Sequence, residues 1–127
     1  IIPGIDLFPI IKEGFVAYSS GNTVVPPVGE MTFDNPQGDV HIKYGYIKDD
    51  KYFVVKIASG FYGDSDKGII PTQGGMMLLF DKSTGKELAA LVDECYLTNI
   101  RTAVAGGICA EIYYLNRGCG AIGRKEC

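Results

Sequence analysis

The chain of 127 residues contains a single histidine, His41. Without that residue no histidine-based metal site and no histidine-assisted nucleophile can be assembled, and no metal is expected. The four cysteines, at positions 95, 109, 119 and 127, lack the close CxxC spacing of a zinc site. Two of them fall in apolar elements, where a free thiol behaves as a small hydrophobe, so reduced structural cysteines in a cytoplasmic protein are expected. Excess positive charge is missing too. With a net charge of -3 and its lysines and arginines dispersed, the chain has no field for gathering a polyanion, and nucleic acid is not an expected partner. No apolar run approaches the ~20 residues that span a bilayer, so no membrane is expected either. The opening IIPGIDLFPII has neither a basic n-region nor an initiator methionine, so no secretory signal is read and the true N-terminus is expected to lie upstream. Internal repeats and low-complexity segments are absent.

What is present is enough for one core. Hydrophobic residues make up 46% of the chain and charged residues 21%, a balance that suits one domain or a substantial part of one. Asp6 can cap a first helix, in which Leu7, Ile10, Ile11, Gly14, Phe15 and Tyr18 recur at helical spacing and Gly21 supplies the stop. Pro26, Pro27 and Gly29 predict an extended connector. From Asp39 to Ile47 the residues alternate, with Val40, Ile42, Tyr44 and Tyr46 on one face and His41, Lys43, Gly45 and Ile47 on the other, the period of a half-buried strand. A charged turn, Lys48 to Lys51, leads into a strand from Tyr52 to Ala58 that is apolar on both faces except at Lys56. A loop rich in glycine and aspartate follows, from Ser59 to Gly68, and then a strand centred on MMLLF. Asp81 to Gly85 reads as a hairpin connection with Gly85 at positive φ, and Leu88 to Val92 as the return strand. Thr98 or Asn99 is expected to cap a second helix whose stripe Ile100, Val104, Ile108, Ile112 packs inward, while Ala103, Gly106, Gly107 and Ala110 allow close approach. The expected class is α+β, a mostly antiparallel sheet with an N-terminal helix and a second helix.

Two cations stand out between Val54 and Ala105, and together they suggest an anion-binding site. Lys56, an ammonium on an apolar strand, would be partly desolvated, which suits a proton shuttle or a carboxylate partner; a strand-end lysine that snorkels to water is the ordinary alternative. Arg101, expected in the first turn of the second helix, has unpaired backbone N–H groups beside it and a fork that can hold a carboxylate or phosphate, whereas a structural pair with a residue such as Glu94 is the competing explanation. His41 on an alternating strand is ordinarily a packed or surface residue. Asp64, Asp66, Asp93 and Glu94 are carboxylate candidates in loops or at a strand end. Gly118, Gly120 and Gly123 spell GxGxxG, but no apolar strand precedes them and too few residues follow for the helix that would hold a pyrophosphate, so a flexible tail is expected there.

The segment VVKIASGFYGDSDKGIIPTQGGMMLLFDKSTGKELAALVDECYLTNIRTAVAGGICAEIY, with its lysine in a "VK" strand, its glycine-rich loop, its "LLFD…TG" hairpin and its "LT…RTA" helix start, resembles the ornithine cyclodeaminase and mu-crystallin family. The resemblance runs over residues 14 to 114, starting at GFVAYSSGNTVVPP. It implies a usually dimeric, cytoplasmic enzyme of two domains. One is a substrate-binding and dimerisation domain, matched here by residues 1–115; the other is a Rossmann domain for NAD or NADP, which would begin where residues 116–127 form a divergent or truncated tail. By the resemblance Lys56 meets the amino-acid substrate, and Thr72 and Arg101 line the cofactor side of the cleft. The family's substrate-binding arginine after the first helix is missing from VVPPVGEM, so an ornithine preference is not carried over and Lys43 or His41 stands as its substitute. The family's catalytic aspartate would lie downstream. The resemblance thus implies a fragment of an NAD(P)-dependent enzyme acting on a small amino acid or cyclic imino acid by hydride transfer at Cα, of cyclodeaminase or ketimine reductase type. The chain alone is expected to bind no cofactor and to be inactive. A mu-crystallin-like ligand-binding or dimerisation protein without catalysis is the alternative.

Overall fold

The computed structural model describes residues 4–63, 68 and 72–122. The chain divides into two compact units, residues 1–16 with 97–127 and residues 17–96. Element order is α1 (Leu7–Ser19), β1 (Thr23–Val24), β2 (Gly29–Asp34), β3 (Gln37–Ile47), β4 (Tyr52–Phe61), β5 (Thr72–Asp81), β6 (Glu87–Val92) and α2 (Tyr96–Ile122). The expected α+β class, a mostly antiparallel sheet with an N-terminal helix and a second helix, is what forms.

In the first unit, Asp6 Oδ1 accepts the Phe8 amide at 3.1 Å and so caps α1, and Pro9 falls in the first turn, where its missing N–H costs nothing. The expected apolar stripe of α1 is narrower than its sequence suggests. Leu7, Ile11 and Gly14 are half-buried, whereas Ile10, Phe15 and Tyr18 are exposed. In α2, Ile108 is buried and Ile100 and Val104 half-buried, but Ile112 is exposed. Gly107 is the small residue that closeness requires, since a Cβ there would lie 2.7 Å from Cζ of Phe8. Cys109 is exposed, against the expectation of a packed thiol. The helix runs on through residues 116–122.

The second unit is a six-stranded sheet in the order β1-β3-β4-β5-β6, with every pairing antiparallel and β2 sharing the outer edge of β3 with β1. One face is apolar from edge to edge. Ile42, Ile57, Met76 and Val92 form one row in register, and Tyr44, Val55, Leu78 and Ala90 the next. Phe53 stacks on its cross-strand partner Phe80 with centroids 4.7 Å apart, a contact worth about 0.5–1.5 kcal/mol beyond its buried area. Three boundaries differ from expectation. β2 forms where the prolines at 26 and 27 predict a connector, and along it Met31 and Phe33 alternate with Glu30, Thr32 and Asp34. β4 runs on to Phe61 and β5 starts at Thr72, since Ser59, Gly60 and Phe61 pair with Gly74, Gln73 and Thr72. The glycines that signalled a loop are there for close approach: a Cβ on Gly75 would stand 3.1 Å from the Ile57 carbonyl oxygen and 3.5 Å from Cys95 Sγ. The rest of the expected loop, with Asp64 and Asp66, lies outside the described residues.

The β5–β6 connection follows the sequence closely. Gly85 has φ +71° and its amide donates to the Asp81 carbonyl. Asp81 Oδ1 accepts from the amides and hydroxyls of Ser83 and Thr84 at 2.6–3.0 Å, and these bonds, the Ser83 hydroxyl foremost, hold the Asp81 carboxyl below its ordinary value. A carboxyl depressed in the folded state stabilises the fold above its unfolded pKa, and the contribution disappears as pH falls through the folded value. Acidification below the usual carboxylate range should therefore lower the Tm of the unsubstituted chain more than that of Asp81→Asn. Parallel Tm–pH curves would refute this origin of acid lability.

Candidate functional site

The β3–β4 register sets Lys43 directly opposite Lys56 and His41 opposite Ala58, with Met77 of β5 on the far side of Lys56. Since side chains alternate along a strand, His41, Lys43 and Lys56 share one face of the sheet, opposite the apolar one. Lys56 is half-buried and Lys43 exposed. Like charges directly opposite across an antiparallel pair are unfavourable by about 0.2–1 kcal/mol, and an anion seated between or above them would offset that cost.

His41 is held differently. Its Nε2 lies 3.4 Å from Glu30 Oε1 on β2 and its Nδ1 lies 3.3 Å from Asp39 Oδ1 on β3. The other Asp39 oxygen accepts the Tyr62 hydroxyl at 2.5 Å, and the Tyr62 amide donates to the Gln37 carbonyl, so the phenol is fixed just beyond the end of β4. That hydrogen bond, together with the negative charge of Asp39, raises the Tyr62 pKa and keeps the hydroxyl a donor. The side chains of Asp39, His41 and Glu30 are 23%, 34% and 58% exposed, so the network is firmest at Asp39 and loosest at Glu30.

The remaining expected site residues are not on that face. Thr72 pairs with Phe61, whose ring meets Phe33 on the apolar side, so Thr72 stands on the opposite face from Lys56. It lines a concavity of about 410 Å³ with Gly60, Phe61, Tyr62 and Gln73. Arg101 is exposed in the second turn of α2, rather than in the first. Neither Thr98 nor Asn99 is the cap, and Thr98 lies inside the helix, its carbonyl accepting from the Thr102 hydroxyl. The helix starts early because Glu94 and Cys95 take left-handed conformations, φ +46° and +68°, and the Tyr96 amide bonds back to the Asp93 carbonyl. Two non-glycine residues there cost about 1–2 kcal/mol each, and burial of Cys95, whose thiol donates to the Gly74 carbonyl at 3.2 Å, holds the turn. The first turn of α2 therefore precedes Arg101.

Among the described residues no group of three or more His, Cys, Asp or Glu is arranged to hold a metal ion, and no helix is long and apolar enough to cross a membrane. A pyrophosphate loop needs a strand, a tight turn and a helix N-terminus. Gly118 and Gly120 instead sit within α2, so these residues do not fit a dinucleotide. Sequence reasoning missed Glu30, Asp39 and Tyr62. Asp39 has the parity of His41 and Lys43 and was within reach of the alternation argument, but Glu30 needed β2 and Tyr62 needed the full length of β4.

A six-stranded antiparallel sheet with two helices defines an α+β domain similar to the N-terminal portion of alanine dehydrogenase-like folds. Residues 4–118 match the ornithine cyclodeaminase/mu-crystallin family, and the chain belongs to that family. An uncharacterized cyclodeaminase of Sinorhizobium fredii is 35% identical over 113 residues, covering 87% of this chain and 34% of the relative. A solved archaeal alanine dehydrogenase dimer with bound NAD is 30% identical with a TM-score of 0.69, covering 82% of this chain and 32% of that one. The Thermococcus litoralis Δ1-pyrroline-2-carboxylate reductase, solved with NADH and L-proline, is 24% identical with a TM-score of 0.70, covering 80% and 31%. This chain spans between 30% and 34% of the length of the curated relatives it matches.

The opposed lysines make a stability prediction that runs against function. Lys43→Gln removes one of two facing charges and should raise stability by about 0.2–1 kcal/mol, an effect that shrinks with added salt. Equilibrium denaturation at low and high ionic strength checks it, and a loss of stability would mean that Lys43 is held by a favourable contact.

Proposed function

We propose that this chain is the substrate-binding and dimerisation part of an NAD(P)-dependent enzyme acting on a small amino acid or cyclic imino acid, in the manner of a cyclodeaminase or ketimine reductase. The observation that carries the reading is the Lys43–Lys56 pair in register on the polar face of the sheet, in a chain of the ornithine cyclodeaminase/mu-crystallin family. Two ammonium groups on adjacent strands suit the carboxylate of an amino acid, and Lys43 supplies the charge that an arginine would otherwise bring. In this reading Lys56 and Lys43 hold the carboxylate, with His41 beside them. Arg101 serves a nucleotide-binding domain working with this one, whereas Thr72, on the face away from Lys56, has no part in this reading. When bound there, the nicotinamide supplies hydride transfer at Cα. The solved relatives that carry NAD, or NADH with L-proline, support this class of substrate and cofactor.

The test is turnover by a polypeptide that joins this segment to a nucleotide-binding domain of the family. Small L-amino acids with NAD(P), or cyclic imino acids with NAD(P)H, should produce a change in nicotinamide absorbance. Lys56→Met should lower kcat/KM by roughly ten- to a hundredfold, the equivalent of a charged hydrogen bond of about 1.5–3 kcal/mol. No turnover with either class would favour the second reading, a ligand-binding or dimerisation module without catalysis.

The same reading has the apolar sheet face covered by a second copy. Met31, Phe33, Tyr44, Met76 and Val92 all stand on that face and are exposed, Val92 to 72%, more contiguous apolar surface than an isolated domain ordinarily leaves to water. Sedimentation of the chain should give a dimer, and Val92→Lys with Met76→Lys should shift it towards monomer. A monomer at every accessible concentration of the unsubstituted chain would count against the dimerisation role.

A further inference from the structure

The network around His41 has a polarity that the carboxylate-binding role does not use. Both ring nitrogens lie within 3.4 Å of carboxylate oxygens, yet a neutral imidazole carries one N–H and can satisfy one of them. The two carboxylates are not equivalent. Asp39 is the less exposed, is adjacent in register on β3, and is anchored through its second oxygen by the Tyr62 hydroxyl. Glu30, on the exposed strand β2, is free to turn its side chain towards water. When His41 loses a proton, the remaining one belongs on Nδ1, facing the carboxylate that cannot leave. Nε2 is then a lone pair on the polar face, from which the Glu30 carboxylate is repelled. This is the logic by which a buried carboxylate orients an imidazole and leaves its far nitrogen as the working base.

We propose that His41 is the proton acceptor for the substrate's ammonium group, working through Nε2, and that Asp39 and Tyr62 are the positioning residues that fix its tautomer. The charged and titratable groups facing it are Glu30 on β2, Asp39 and Lys43 on β3, Lys56 on β4 and Tyr62 beyond its end. His41 and Lys56 are diagonal neighbours across the β3–β4 pair, a separation of roughly 7–8 Å that a bound amino acid can bridge, its carboxylate on the lysines and its nitrogen towards the imidazole. The step is a proton transfer: an N–H bond of the ammonium breaks, an Nε2–H bond forms, the amine keeps the electron pair, and nothing is oxidised or reduced. The resulting imidazolium donates from both nitrogens, and Glu30 closes onto Nε2–H to hold it. This role rests on the amino-acid reading above; the tautomer it requires does not.

Because His41 is the chain's single histidine, its imidazole nitrogens give one unambiguous set of 15N resonances. In the chain at alkaline pH, Nδ1 should be the protonated nitrogen and Nε2 the acceptor. Asp39→Asn should reverse that preference, and Tyr62→Phe, which removes one hydroxyl and keeps the ring, should weaken it. An Nε2–H tautomer in the unsubstituted chain, or no response to either variant, overturns the proposal whatever the activity. In the protein joined to a nucleotide-binding domain, His41→Gln should lower kcat/KM for amino-acid oxidation by roughly a hundredfold or more and abolish the rising limb of its pH profile. A profile of unchanged shape, merely displaced downwards, overturns the catalytic role. Absence of turnover in the unsubstituted protein overturns the oxidoreductase reading and the substrate ammonium with it, while the tautomer measurement still reports on the orientation of His41.

Discussion

The constraint on which this molecule turns is the register of β3 against β4. One pairing, Lys43 with Lys56, fixes which side chains share a face along the whole central pair, because the side-chain period of a strand is two and a slip of one residue exchanges the faces. The apolar rows Ile42–Ile57–Met76 and Tyr44–Val55–Leu78 enforce that register from the other side, since any slip would turn them to the polar face. The unfavourable facing of two ammonium groups is therefore carried by aliphatic and aromatic packing on the reverse of the sheet. The lysine face is itself mixed, since Met77 and Leu91 continue the row of Lys43 and Lys56 and Val54 pairs with Leu79.

The β4–β5 ladder also runs long. Gly60, Gly74 and Gly75 are poor strand formers, yet the ladder continues through them, and Gly75 lets the backbone and Cys95 come close. The added length carries Tyr62 to within reach of Asp39. The same approach buries Cys95 and stabilises the left-handed pair Glu94–Cys95, from which α2 starts. A local choice at Gly74 and Gly75 thus sets the start of a helix twenty residues later, and with it the turn in which Arg101 lies.

The lysines and the histidine on this face are held in different ways. Lys43 and Lys56 are brought opposite one another by strand register, whereas His41 is oriented by carboxylates of unequal freedom, one pinned by a phenol and the other on an exposed outer strand. Such an arrangement separates charge binding from proton handling on adjacent positions of one strand. In the proposed chemistry the substrate's carboxylate and nitrogen need those two functions at once.

Much of this was legible in the sequence. Alternation from Asp39 to Ile47 put His41 and Lys43 on one face, the lone lysine in an apolar run marked Lys56, and Asp81-Lys82-Ser83-Thr84-Gly85 described its own turn, because each of these signals is local and of short period. The motifs in order carried the family resemblance. The tertiary structure decided what depends on partners distant in the chain. It determined that Lys43 faces Lys56, and that the exposed strand Gly29–Asp34, just past the prolines that predict a connector, carries Glu30 to His41. It set Thr72 on the other face and started α2 before the residues that looked like its cap. These outcomes are fixed by ladder hydrogen bonds and close backbone approach between segments tens of residues apart, and neither composition nor periodicity encodes which strand lies beside which.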